Sequence, residues 1–274
     1  MAVDLADLFD ALGTADVFDL GQPLEAGMPC SPNHPGFRMA LIRRHGDRVG
    51  PDGGSGANEL IVTGGHVGTH LDAFSHAARD GRLFGGHDAL AASVGGRFTV
   101  HGVETVAPFL TRGLLADVPA LKGVSRLEPG YGITERDVAA ALGPLAIRPG
   151  DVVLVRSGWP QLYGDAAAYL GAATGVPGIT ESAARWLADQ GVRAVGSDTT
   201  ATDRIAPGAG HSRLPAHGVL LVERGVHIIE VMDLEGLAAR GVREFLFVAI
   251  PLKIVGATGS PVRPLAVAFG SVPA

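Results

Sequence analysis

At 274 residues, with 46% hydrophobic and 18% charged side chains, the chain can bury one substantial core and is too apolar for disorder. A formal net charge of -6 and a pI near 5.9 exclude the basic face that nucleic acid or an anionic membrane would require of a partner. One domain over residues 1–274 is the expectation.

The opening stretch, MAVDLADLFDAL, is acidic and amphipathic, with no basic segment ahead of an apolar one, so no signal peptide is expected. Cys30 is the single cysteine and cannot form an internal disulfide. That usage, with no apolar run approaching the ~20 residues of a membrane helix, points to a cytoplasmic protein. The glycine-rich PDGGSGAN (51–58) reads as a loop. It leads into the first strand-like run, ELIVT (59–63).

Further runs of strand character are RFTVHGV (97–103), DVVLVRSG (151–158), VRAVG (192–196), GVHIIEV (225–231) and FLFVAI (245–250). Helices are announced by Thr134 with Asp137 in ITERDVAAAL, by Thr180 ahead of ESAARWLADQ with Gly191 closing, and by DLEGLAARG (233–241). The run at 151–158, the helix at 180–190 and the run at 192–196 make a strand-helix-strand unit. Other strands follow one another with no helix between, which predicts an α/β fold with a mixed β-sheet.

Between the first two strands lies GHVGTHLDAFSH (65–76), which holds three of the ten histidines. Its side chains His66, His70, Asp72 and His76 are the ligand types of a catalytic Zn2+ or Mn2+ site that keeps one position open for water. As hydrogen-bonded loop residues they would each need a partner in one small volume, and each buried unpaired group costs a few kcal/mol. Gly64, Gly65 and Gly68 argue against a helix here. A tight bend after ELIVT fits better.

Downstream, Glu230 is flanked by Ile228, Ile229 and Val231, and a carboxylate in a buried strand wants a cation. His217, after a Pro-Ala pair, joins it as a candidate ligand, while Glu223 reads as a solvated turn residue. His34 and His211 sit in glycine- and proline-rich loops and could line a pocket or the surface. His45, His87, His101 and His227 read as surface or structural. Asp198 ends a strand, where a turn role and a functional one are equally open.

HVGTHLDAFSH resembles the H-x-G-T-H-x-D-x-x-x-H signature of the metal-dependent cyclase-like hydrolases, the family of bacterial kynurenine formamidase and isatin hydrolase. DLGQPLEAGMP, GDVVLVRSGW, IIEVMDL and PLKIVGATGSPVRPLAV extend the resemblance over most of the chain. It implies a single swivelling β/β/α domain, assembled as a homodimer or homotetramer. It further implies that His66, His70 and Asp72 hold one metal and that Asp72 bridges to a second held by His217 and Glu230, with His76 as the catalytic acid or base. DAFSH, lacking the D-x-P of kynurenine formamidases, leans toward the isatin-hydrolase side, where a single manganese is usual.

The activity expected is hydrolysis of a small-molecule substrate, an aryl formamide or small cyclic amide or imide, by hydroxide generated where the ion lowers the pKa of water from near 16 to roughly 7. Phe37, Phe74, Phe84 and Trp159 are candidate walls for a flat ligand. Lactone hydrolysis, or ring closure by dehydration, would use the same groups. From a different class, His70-x-Asp72 with His217 also spells the facial triad of Fe(II) oxygenases, and a closed, non-catalytic metal scaffold would use the same ligands.

Overall fold

A computed structural model describes residues 4–270; residues 1–3 of the acidic opening stretch lie outside it. Nine strands form a mixed sheet: β1 (Asp16–Asp19), β2 (His70–Asp72), β3 (Phe109–Asp117), β4 (Val152–Arg156), β5 (Ala194–Ser197), β6 (His227–Glu230), β7 (Glu244–Ala249), β8 (Gly259–Pro261) and β9 (Leu265–Ala268). Their order is β1-β9-β7-β3-β4-β5-β6-β2-β8. The centre, β3 to β6, is parallel, and the flanking pairs are antiparallel. The α/β class and mixed sheet expected from the sequence are both present.

Strands β4, β5 and β6 are buried at every position, because parallel strands covered on both faces need apolar side chains both ways. Alternate residues feed two cores. Val153 and Val155 point to one face, against Val138, Leu142 and Leu187 of the helices. Val152 and Leu154 point to the other, against Phe109, Phe247 and Leu237.

The predicted helices form where their caps place them. Thr134 and Asp137 make a reciprocal capping box on α1 (Glu135–Leu142), and the Thr180 side chain accepts from Ala183 N at the start of α2 (Glu181–Asp189), each satisfying amides that the first helical turn leaves unpaired. The unit β4, α2, β5 closes in parallel as expected. Among the described residues no helix is long and apolar enough to cross a membrane.

One strand expectation needs correction, and another holds in a place of its own. RFTVHGV gives only a two-residue strand, Arg97–Phe98, paired with Ser93–Val94. The chain then turns, with His101 at φ 58°, because Gly102 and the bend around it break the extended run. ELIVT is extended over Asn58–Val62 but pairs only with Arg38–Arg43 in a hairpin outside the large sheet. All residues of both hairpin strands are exposed, among them Met39, Leu41, Ile42, Leu60, Ile61 and Val62. Glu223 is exposed, as read, but lies on a helical segment, Gly218–Arg224, where it pairs with Arg79 and Arg185.

Candidate metal centre

The glycine-bounded bend brings its ligands to one point through sheet pairing. Gly68, at φ 66°, adopts a left-handed conformation open to glycine at little cost. The chain then enters the short buried strand β2, which runs antiparallel to β6 with His70 opposite Glu230. On its other side β8 sets Gly259 opposite Asp72, and His66 packs against that glycine. Val231, directly after Glu230, also has positive φ, 57°, rare for a β-branched residue and worth of order 1–3 kcal/mol of strain. Two hydrogen bonds hold it: its amide donates to Thr199 O at 3.0 Å, and its carbonyl accepts from Thr69 Oγ1 at 2.5 Å.

His217 comes from Pro215–His217, a short helix that continues into Gly218–Arg224. Asp203, fully buried, accepts from Ala216 N at 2.6 Å and from His217 N at 3.0 Å. Its Oδ2 is also 2.7 Å from His217 Nδ1. The sequence reading missed Asp203, whose position in ATDRIAPG carries no local sign that it will meet a histidine fourteen residues later.

Two imidazoles are thereby fixed in one tautomer. His70 Nδ1 donates to Gly68 O at 2.8 Å and His217 Nδ1 to Asp203, leaving both Nε2 lone pairs facing inward. His70 Nε2 lies 3.6 Å from Asp72 Oδ1 and 3.5 Å from Glu230 Oε2. His217 Nε2 lies 3.6 Å from Asp72 Oδ2 and 3.5 Å from Glu230 Oε1. These gaps are too long for hydrogen bonds. They match ligands sharing an ion, since two donors each ~2.1 Å from a tetrahedral metal lie ~3.4 Å apart.

Asp72 Oδ2 is buried with no hydrogen-bond partner, which a native interior tolerates where a cation is meant to sit. Among the described residues two ligand groups meet within 4.8 Å: His66, Asp72 and His76, and His70, Asp72 and Glu230. Asp72 is common to both. The six residues singled out in the sequence are therefore together, grouped so that His70 faces Glu230 while His66 and His76 stack with centroids 3.9 Å apart. His66 Nδ1 lies 2.7 Å from Asp72 Oδ1, and its Nε2 lies 2.8 Å from Thr258 Oγ1.

Electrostatics fit a site built for cations. Burial pushes His70 down to about 4 and His76 down to about 3, so both are uncharged at neutral pH. Burial opposes ionisation of Asp72, but the His76, His66 and His70 imidazoles outweigh it and hold the carboxyl well below its usual range. Burial lifts Glu230 to about 8. His217 is held up at about 9, because Asp203 and Glu230 overcome the cost of burying its charge. Without an ion this corner keeps protons that a cation would displace.

His34 and His211 both line the adjoining cavity, as does Cys30. The four aromatic residues read as walls do not. Phe74 stacks on buried His227 at 4.1 Å and packs against Phe84, and Trp159 lies in a separate core cluster. Phe37 is also absent from the lining. The faces of Phe74, Phe84 and Trp159 are taken up by packing. Asp198 accepts from Ser157 N, Ser157 Oγ and Gly158 N, the turn role, away from the candidate centre.

Comparison with known proteins identifies the chain's relatives. The cyclase family model matches residues 18–204. An isatin hydrolase of Roseibium aggregatum is 31% identical over 219 residues, 78% of this chain and 76% of that protein. A kynurenine formamidase of Delftia acidovorans is 28% identical over 91% of this chain and 96% of its own length. The crystal structure of a novel cyclase superposes with a TM-score of 0.82 at 30% identity, covering 96% of this chain and 93% of that one.

Proposed function

The chain belongs to the cyclase family, and from that premise we propose that it is a metal-dependent hydrolase opening the C–N bond of an aryl formamide or of a small cyclic amide or imide of the isatin kind. The observation that carries this reading is the 3.5–3.6 Å spacing of two inward Nε2 atoms from two carboxylates around an orphaned Asp72 oxygen. We assign His66, His70 and Asp72 to one Mn2+ or Zn2+ ion, and Asp72, His217 and Glu230 to a second where two are bound. A divalent ion held there supplies Lewis acidity, polarising the scissile carbonyl and making water more acidic.

The chain's own groups do the rest. His76, uncharged because it is buried, accepts a proton at a ring nitrogen and returns it to the leaving amine. His66, stacked on it, fixes its plane. Asp203 and the Gly68 carbonyl keep His217 and His70 in the tautomers that present Nε2. Glu230 reaches the same centre as His70, Asp72 and His217, and this second carboxylate departs from the one-carboxylate triad of an Fe(II) oxygenase.

We also place this enzyme in a homodimer or homotetramer. An isolated two-stranded hairpin is marginal in water, and the one here is exposed on both faces, so a second copy covering it would stabilise both. The decisive experiment is elemental analysis of the purified protein together with assays on isatin and N-formylkynurenine. An ion present with hydrolysis of either supports the reading; no recoverable ion and no hydrolysis ends it.

A further inference from the structure

Strand β6 serves the candidate centre with the residue at each of its ends. Glu230, the last, stands opposite His70 and faces its Nε2. His227, the first, belongs to neither ligand group and meets the segment that carries Asp72 instead. The ladder between β2 and β6 runs from Glu230 opposite His70 to Ile228 opposite Asp72 and ends one residue short of His227. There the side chain takes over from the backbone: Nδ1 of the buried His227 ring lies 3.0 Å from the carbonyl oxygen of Asp72. A carbonyl only accepts, so this nitrogen carries the proton and donates it.

The face of the same ring lies flat on Phe74, with centroids 4.1 Å apart and planes 7° from parallel. One imidazole therefore holds the chain at both ends of Asp72-Ala73-Phe74, by a hydrogen bond at the first residue and by a stack at the third. His227 is itself held: its amide donates to Arg193 O at 3.2 Å, and Phe109 meets its ring edge to face at 6.0 Å. The anchored stretch leads straight to His76, whose amide donates to Ala73 O at 2.9 Å. Asp72 is the residue that both ligand groups share. A displacement of its backbone moves the carboxylate against every other ligand at once, and metal-ligand distances tolerate only ~0.2 Å.

Resting on the metal-centre reading above, we infer that His227 is a positioning residue for Asp72, placing its carboxylate for both ligand groups through the Nδ1–H bond to the Asp72 carbonyl and the stack on Phe74. The two contacts do different work. The hydrogen bond sets where Asp72 stands, while the stack buries aromatic surface, so metal affinity follows the donor and fold stability follows the ring. A histidine that only filled the core would show no such division, because both contacts would register in stability alone.

Two variants separate the contacts. His227→Asn keeps an N–H donor near the Nδ1 position and loses the stack, whereas His227→Phe keeps the flat face and loses the donor. Zn2+ or Mn2+ titrated calorimetrically into chelator-treated protein should bind His227→Phe ~10-fold or more weakly than wild type, the scale of losing such a partner, and His227→Asn close to wild type. Melting temperatures of the same samples should rank the other way, with His227→Asn the less stable, because it gives up an aromatic contact and leaves a void. Affinity unchanged in His227→Phe, or weaker in His227→Asn than in His227→Phe, overturns the inference. Histidine-selective nitrogen NMR of the wild type gives a check that needs no variant to fold: His227 should be the tautomer protonated at Nδ1, and one protonated only at Nε2 overturns the inference equally. Wild-type protein that binds neither ion brings down the metal-centre reading and this inference with it; wild-type protein that binds, with affinity untouched in both variants, brings down the role of His227 alone.

Discussion

Asp203 Oδ2 lies 2.7 Å from Nδ1 of His217, and the same carboxylate accepts the backbone amides of Ala216 and His217. Ring orientation and tautomer are thus set by one buried residue outside the candidate ligand set. Asp203→Asn keeps the size and one acceptor but loses the charge. Its expected effect is a ~10–100-fold weaker metal affinity, the usual consequence of losing such a partner, with a native circular dichroism spectrum. Metal titration of the variant beside wild type measures it, and unchanged affinity would remove the positioning role.

His76→Ala should retain its metal and lose ~100-fold or more in kcat, the scale of an acid-base group. Metal content per chain and turnover, measured on the same sample, separate this role from ligation. A variant that loses an ion would make His76 a ligand through its group with His66 and Asp72.

Metal loading should strengthen with pH. Glu230 is raised from 4.5 to about 8 by burial, and His217 from 6.5 to about 9 by its carboxylate neighbours. Both are raised in the fold, so in ion-free protein their contribution to stability is complete below the unfolded values and is lost as pH rises through about 8 and 9. The Tm of chelator-treated protein should therefore fall across that window, whereas bound metal replaces the protons and holds Tm up. A Tm of ion-free protein that is flat from pH 5 to 9 would contradict the assignment.

Gly259→Ala tests the packing behind the site. A Cβ there would stand 2.5 Å from His66 Cε1 and 2.8 Å from the Leu71 carbonyl oxygen, so either the ligand or the strand must move. A loss of ~1–3 kcal/mol in unfolding free energy, together with reduced metal content, is expected from denaturant melts and elemental analysis. Full metal occupancy would show that His66 can shift without consequence.

Residues 66 to 76 were legible because chemistry and spacing in one short segment do not depend on the rest of the chain, and Glu230 because a carboxylate among Ile228, Ile229 and Val231 is anomalous in any buried strand. The capped helices and the β4, α2, β5 unit were legible for the same reason: caps and periodicity act within a few residues. By contrast β3, the nine-residue strand Phe109–Asp117 at the centre of the sheet, carries Thr111, Arg112 and Gly113 mid-run and shows no clean alternation. Its place is decided by pairing with β4 and β7.

What the sequence determined by itself is the candidate donor set and the family, since imidazole and carboxylate keep their affinities wherever the chain takes them. Tertiary structure alone decided that His70 pairs across the sheet with Glu230, that Asp203 reaches His217, that Phe74 and Trp159 pack behind the cavity, and that the hairpin stands apart. Each of these is a contact between distant residues, fixed by strand register and competition for buried surface, and neither quantity is local to any stretch of sequence.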